Sequence, residues 1–153
     1  MNRSRYVTRQ LDKIDREIIA ALTEDGRMTL KELAEQIGMA SPSVRARLLK
    51  LEDAGAIRGY TIVIDPNVFG LCTAAFVRMN AMPGQVKKLE KVLDESTEVV
   101  QAYRVTGEDC FLANVVVSDA RELQAVVDRF QLYASADTAI ILSSPVAPRL
   151  PKL

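Results

Sequence analysis

The sequence has no histidine and only two cysteines, Cys72 and Cys110. One chain therefore cannot build a zinc site from cysteine and histidine ligands, and acid/base catalysis by an imidazole is excluded. A Gly-rich phosphate loop, a metal-ligand cluster and a nucleophile with a nearby base are also missing, so we expect neither an enzyme nor a bound metal or cofactor. Each cysteine stands in an apolar run and is predicted to be a small buried hydrophobic residue, with a reactive thiol at Cys110 as the alternative.

Long apolar runs are missing too. No stretch approaches the roughly 18 residues that a membrane helix needs, and no apolar segment of a secretory signal follows the basic start. We therefore expect no membrane association and a cytoplasmic location. The composition is that of an ordinary globular protein: 153 residues, 48% of them hydrophobic and 26% charged, which is enough for one medium domain or two small ones.

The charge is balanced overall, with 20 basic and 20 acidic residues, but it is unevenly distributed. The first 64 residues hold 11 Lys and Arg against 9 Asp and Glu. Residues 1–10, which we treat as an N-terminal arm, hold only basic charges. This mild excess permits nucleic-acid binding by the N-terminal part without requiring it.

Two helices are predicted near the N-terminus. Apolar residues recur at helical spacing over residues 11–24, where Asp12 is the predicted N-cap. Over residues 29–38, Thr29 and Glu32 have the spacing of a capping box, in which each residue bonds the other's backbone N–H. Both starts are thus encoded locally.

A third helix follows after a short link. Ser41 is its predicted N-cap, Pro42 suits the first helical position and Gly55 ends it. A short second helix, a tight turn and a longer third helix make up the helix-turn-helix plan. The apolar run that comes next, residues 57–64, is predicted to be a strand.

The third helix has an apolar side and a small, basic side. At 100° per residue, Val44, Leu48 and Leu51 share a narrow arc that must face a core. The opposite side suits a DNA major groove, because small residues let the helix approach and basic residues meet phosphates or guanine edges. The alternative is an ordinary solvated helix face, and the lengths of the preceding helix and turn favour DNA binding over it. The predicted DNA-contact residues are Ser41, Pro42, Ser43, Arg45, Ala46, Arg47 and Lys50.

The second half of the chain alternates strands and helices in the order β-α-β-β-α-β, the ferredoxin-like arrangement. The predicted strands are 72–80, 99–105, 110–117 and 138–144, and the helices open at Pro83 and at Ser118 or Asp119. The fold class is therefore α+β. Its parts are a winged-type helix-turn-helix domain at 11–64, a linker at 65–71 and a ferredoxin-like domain at 72–149.

The sheet of the second domain is expected to have one uncovered face. Two helices cover only one side of a four-stranded sheet, yet residues 110–117 are apolar on both sides apart from Asn114. The uncovered face is therefore predicted to be buried against a second copy of the chain. Such a homodimer would present two recognition helices to a pseudo-palindromic site on double-stranded DNA.

Several short motifs, each present once, follow one another in a fixed order along the chain. In the first half they are Leu11-Asp12 with Asp15, Asp25-Gly26-Arg27, Glu32-Leu33-Ala34, Arg47 with Leu51-Glu52, and Gly55, Ile57, Gly59 and Tyr60. In the second half they are Val105-Thr106-Gly107 and Ile140-Ile141-Leu142-Ser143-Ser144. Together they resemble the leucine-responsive regulatory protein/AsnC (Lrp/AsnC) family of transcriptional regulators.

The resemblance implies dimers, often assembled into octamers, with an amino-acid effector bound between C-terminal domains. Many members have an acid three residues after the glycine of the hairpin loop. This chain has Cys110 there, and Glu108 or Asp109 is the candidate to replace the acid. The alternatives are a polar hairpin without a ligand and a nucleoid-type architectural protein without an effector. The implied effector residues come from the hairpin and from a turn before the last strand: Thr106, Gly107, Glu108, Asp109, Cys110, Asp137 and Thr138.

Overall fold

The computed structural model describes residues 11–147. They form two compact units, one ending at Val63 and the other beginning at Ile64. The first unit holds three helices, α1 (Lys13–Glu24), α2 (Leu30–Ile37) and α3 (Ser41–Asp53). Each helix turns its apolar stripe inward, and the buried residues are Ile18, Ala21, Leu33, Ala34, Val44 and Leu51.

Capping boxes determine where α1 and α2 begin. Asp12 accepts a hydrogen bond from the backbone N–H of Asp15, and the backbone N–H of Asp12 donates to the carboxylate of Asp15. Thr29 and Glu32 form the same reciprocal pair. Both predicted N-caps are therefore confirmed. Each box satisfies two backbone N–H groups that have no partner within a helix.

The third helix, α3, begins one residue earlier than predicted. Ser41 is not its N-cap: Ala40 takes that position, and Ser41 and Pro42 are the first two helical residues. The reason is that the carbonyl of Ala40 already accepts hydrogen bonds from the backbone N–H groups of Ser43 and Val44. Proline fits in this first turn because its missing N–H would have no helical partner there.

The segment after α3 is not a strand, so the strand predicted at residues 57–64 is wrong for this chain. Ile57 packs on the helical core, whereas Ile62 and Val63 are 74% and 100% exposed. A strand needs a neighbour to pair its backbone N–H and C=O groups, and the described part of this unit contains none. Apolar β-forming residues alone therefore do not produce a strand here.

The second unit has the predicted β-α-β-β-α-β order and confirms the α+β, ferredoxin-like arrangement. Its elements are a 3₁₀ turn at Pro66–Phe69 and then β1 (Thr73–Ala81), α4 (Val86–Glu95), β2 (Val99–Arg104), β3 (Phe111–Val117), α5 (Ala120–Gln131) and β4 (Ala134–Ile140). The sheet order is β2-β3-β1-β4, with all neighbours antiparallel. None of the helices within residues 11–147 is long and apolar enough to cross a membrane.

The core of the second unit lies between the two helices and one face of the sheet. Alternate residues of β1, namely Ala75, Val77 and Met79, are fully buried there, as is Phe130 of α5. The residues between them point to the other side, which we call the open face. From the strand register, the open face carries Ala74, Phe76, Arg78 and Asn80 of β1, Gln101 and Tyr103 of β2, Leu112, Asn114 and Val116 of β3, and Ser135, Asp137 and Ala139 of β4.

The predicted bounds of the last strand and the predicted burial of Cys72 are wrong. The last strand is Ala134–Ile140 instead of 138–144, because its inward-facing residues include the alanines at 134 and 136, which give a weak hydrophobic signal. Cys72 is exposed instead of buried, since it precedes β1 and lies outside the core. Cys110 is half-buried.

Candidate functional site

The residues predicted to contact DNA fall into two groups on α3. The helix is anchored through Val44 and Leu51, which are buried in the core of the first unit. Ser41 and Arg47 are half-buried beside this anchored side. The exposed group, which we call the α3 front, consists of Pro42, Ser43, Arg45, Ala46 and Lys50.

The α3 front carries positive charge that is not paired with a carboxylate in the described part of its unit. Among residues 11–147, neither Arg45 nor Lys50 lies within 4.0 Å of a carboxylate oxygen. The first turn of α3 contains no acidic residue, so the positive end of the helix dipole is not offset by a side chain there. A helix surface that combines small side chains with two cations is suited to the phosphates and base edges of a DNA groove.

Arg47 faces the other way, towards the start of α1. Its Nη1 atom lies 2.6 Å from Oδ2 of Asp12 and 2.8 Å from Oδ1 of Asp15. The backbone N–H of Asp15 and then the Arg47 guanidinium lower the pKa of Asp12, because both stabilise its charged form. The same two carboxylates raise the pKa of Arg47. Arg47 is thus an ion-paired residue, unlike Arg45 and Lys50.

The predicted effector hairpin connects β2 to β3, and its Cys110 is hydrogen-bonded to the end of the neighbouring strand β1. Gly107 has a φ of 118°, which L-amino acids with a side chain rarely adopt, so glycine is required to form this turn. The backbone N–H of Cys110 donates to the carbonyl of Met79 at 2.8 Å, and its Sγ lies 3.4 Å from Oδ1 of Asn80. Glu108 and Thr106 are exposed in the loop, and Asp109 is half-buried.

Asp137 and Thr138 do not lie in a turn, and that prediction is wrong. They lie within β4, where Asp137 pairs with Arg78 and Thr138 with Val77. Because successive side chains of a strand alternate, Asp137 is on the open face and Thr138 is on the helix side. Cys110, just before β3, and Asp137 of β4 therefore both lie beside the same end of β1. Thr138 lies on the other face of the sheet.

Sequence reasoning did not predict the surroundings of four residues, Asp12, Asp15, Asn80 and Asn114. Asp12 and Asp15 are the partners of Arg47. All three residues stand in motifs of the family pattern, and this was the signal from which the contact could have been suspected. Asn80 lies beside Cys110, and only the strand register reveals it. On the open face, Oδ1 of Asn114 is hidden from solvent and, within the described residues, accepts no hydrogen bond.

Two family models match the chain. The model described as winged helix-turn-helix DNA-binding matches residues 11–58, and the model described as the Lrp/AsnC ligand binding domain matches residues 74–151. The chain belongs to the Lrp/AsnC family of transcriptional regulators. This Lrp/AsnC regulator therefore combines a helix-turn-helix DNA-binding domain with a ligand-binding domain, and the function implied by its motifs is confirmed at that level.

Three matches of this Lrp/AsnC protein each cover at least 91% of the matched chain. The regulator LrpA of Mycobacterium tuberculosis is 35% identical over 137 residues, which cover 88% of this chain and 91% of LrpA. The structure of LrpC from Bacillus subtilis matches with a TM-score of 0.87 and 25% identity, covering 91% of this chain and 99% of LrpC. A feast or famine regulatory protein from M. tuberculosis, complexed with L-methionine, matches with a TM-score of 0.86 and 33% identity, covering 92% and 98%.

Proposed function

We propose that this regulator binds specific sequences of double-stranded DNA through the α3 front. The observation that carries the proposal is the position of Arg45 and Lys50. Both are exposed on a helix whose opposite side is buried, and neither is paired with a carboxylate in the described chain. Ser43 and Ala46 are exposed on the same α3 front and are small enough to let the helix enter a major groove. The cytoplasm is the compartment in which we expect this activity.

The open face of the sheet supports assembly into a homodimer. Phe76 and Tyr103 are 39% and 47% exposed on it, and Leu112 lies between their strands. A second copy would cover these apolar residues and remove them from water. Two copies would also present two α3 helices to a pseudo-palindromic site, and dimers could assemble further into an octamer.

The proposed effector site is the β2–β3 hairpin together with the end of β1 to which it is hydrogen-bonded. An amino acid is the proposed effector. The M. tuberculosis relative is described as complexed with L-methionine. Here Glu108, Asp109 and Asp137 provide carboxylates that could pair with an ammonium group, and Cys110 and Thr106 complete the loop. Thr138 is outside this set because it lies on the helix side of β4.

DNA binding is tested by fluorescence anisotropy at fixed salt, with DNA selected from a random library by the wild-type protein. The double variant Arg45→Ala/Lys50→Ala is expected to bind at least about tenfold more weakly, because two phosphate or base contacts are lost. Lys87→Ala/Lys88→Ala is the matched control, since it also removes two cations, from exposed positions of α4 in the other unit. Equal weakening by the control, or unchanged binding by the double variant, would reject the α3 front.

The effector is tested by thermal shift against the twenty amino acids, since a ligand of the folded protein raises its melting temperature. A shift with one or a few amino acids, lost in Asp137→Asn and retained in Thr138→Ala, supports the proposed site. No shift with any amino acid, together with binding to unrelated DNA that weakens steeply with salt, would favour an effector-independent architectural protein.

A further inference from the structure

Arg47 and the start of α1 share a reciprocal set of hydrogen bonds. Asp12 uses Oδ1 to accept the backbone N–H of Asp15 and Oδ2 to accept Arg47. Asp15 uses Oδ2 to accept the backbone N–H of Asp12 and Oδ1 to accept Arg47. Each carboxylate therefore gives one oxygen to the capping box of α1 and the other to a residue of α3. Arg47 completes the cap and joins the two helices.

This arrangement leaves no unbalanced positive charge at Arg47. One guanidinium faces two carboxylates, so the trio carries a net negative charge. The side chain of Arg47 is 29% exposed, and residue Asp15 is only 8% exposed. If Arg47 turned towards a DNA phosphate, the Asp15 carboxylate would remain buried without its cation, and the loss of one partner of a buried ion pair is strongly unfavourable. Arg45 and Lys50 have no such constraint.

We propose that Arg47 is a positioning residue: it holds the recognition helix α3 against the capped start of α1 and does not itself contact DNA. The inference rests on the proposed function, in which α3 reads DNA, and assigns the ionic contacts of α3 to Arg45 and Lys50 alone. It removes Arg47 from the DNA-contact set expected from the sequence.

The salt dependence of DNA binding separates the two roles. Each phosphate that a cation neutralises makes the slope of log affinity against log salt concentration about 0.9 more negative. Arg45→Met and Lys50→Met should each make this slope less steep by about 0.9, whereas Arg47→Met should leave it unchanged. These three variants are matched, since each removes one cation from the same helix and keeps an unbranched apolar side chain.

Positioning is separated from mere stabilisation by measurements on fully folded protein. At a temperature where circular dichroism shows Arg47→Met to be folded, its preference for the selected DNA over scrambled DNA should fall by about tenfold, because a displaced helix loses base contacts. A residue that contributes only to stability would leave this preference unchanged. If Arg47→Met does not fold, Arg47→Gln is measured in its place, because its amide can still donate a hydrogen bond.

A double-mutant cycle tests the partners of Arg47. In the Asp12→Asn/Asp15→Asn background, which retains side-chain oxygens for capping, Arg47→Met should lower the melting temperature by less than half of its effect in the wild-type protein. Any of three results would overturn the proposal. They are equal losses of melting temperature in the two backgrounds, a salt slope about 0.9 less steep in Arg47→Met, and an unchanged preference of Arg47→Met for the selected DNA. If Arg45→Met and Lys50→Met also leave the slope unchanged, the proposed DNA surface itself is wrong, and the cycle alone then decides whether Arg47 positions α3.

Discussion

Nη1 of Arg47 lies 2.8 Å from Oδ1 of Asp15, a residue 32 positions earlier in the chain. The contact joins two motifs that a sequence reader sees separately, the L-D-x-x-D at the start of α1 and the arginine of the recognition helix. Because the carboxylate of Asp15 belongs to the capping box of α1, the start of one helix and the orientation of another depend on the same ion pair. The proposed DNA-reading helix is therefore held by an ion pair on the side away from the α3 front.

Acid should weaken this ion pair. The pKa of Asp12 is lower in the folded protein than its ordinary value, so the charged form stabilises the fold at a pH above the unfolded pKa of about 3.9. This contribution is lost as the pH falls through the folded pKa. Between pH 6 and pH 2, the melting temperature of Asp12→Asn should therefore fall less than that of the wild type. Asp53→Asn, at the exposed end of α3, should follow the wild-type curve, and parallel curves for all three proteins would contradict the prediction.

Removal of the second capping box should destabilise the helix-turn-helix unit. In Thr29→Ala, the side-chain acceptor for the backbone N–H of Glu32 is lost, and we expect the free energy of unfolding to fall by about 1 kcal/mol. Thr23→Ala is the control, since the Thr23 hydroxyl only bonds the carbonyl of Ile19 within α1. Urea unfolding, monitored by circular dichroism, gives the free energy of unfolding of both variants. A loss for Thr29→Ala no larger than that for the control would show that the cap contributes little.

A side chain at Gly107 should strain the hairpin without a steric clash. No atom outside its neighbours lies within 4 Å of a Cβ placed there, so the cost comes from the φ of 118° alone. We expect Gly107→Ala to lower the free energy of unfolding by about 1–3 kcal/mol and to reduce the thermal shift produced by the effector. Gly26→Ala, whose φ is outside the left-handed region, should cause neither change. A full effector response in Gly107→Ala would remove this loop from the proposed site.

A charge on the open face should prevent dimerisation. Phe76→Asp places a carboxylate at the centre of β1 on that face, and burying it against a second copy without a partner is unfavourable. Size-exclusion chromatography with light scattering should show a monomer for Phe76→Asp and a dimer or larger assembly for the wild type. Leu132→Asp, at the exposed end of α5, is the control and should assemble like the wild type. If Phe76→Asp retains the wild-type mass, the subunits pair through another surface.

The order of elements and the family could be predicted because their signals are local. The capping pairs Asp12/Asp15 and Thr29/Glu32 lie three residues apart, within reach of each other as soon as a helix turn forms. Alternation along β1 likewise predicts its buried face without knowledge of any partner strand. These features depend on backbone periodicity, which is the same in every protein.

Long-range partners decided the rest. The strand predicted at 57–64 did not form, and within residues 11–147 these residues have no neighbouring strand to pair with. Asp137 lies in β4 instead of the predicted turn, because pairing with β1 determines the register. The sequence by itself determined the helix starts, the apolar faces and the membership of the Lrp/AsnC family. Only the tertiary structure decided that Arg47 pairs with Asp12 and Asp15, whereas Arg45 and Lys50 have no carboxylate partner among residues 11–147. The reason is that the packing of the helices determines which carboxylates come within hydrogen-bond distance of a cation.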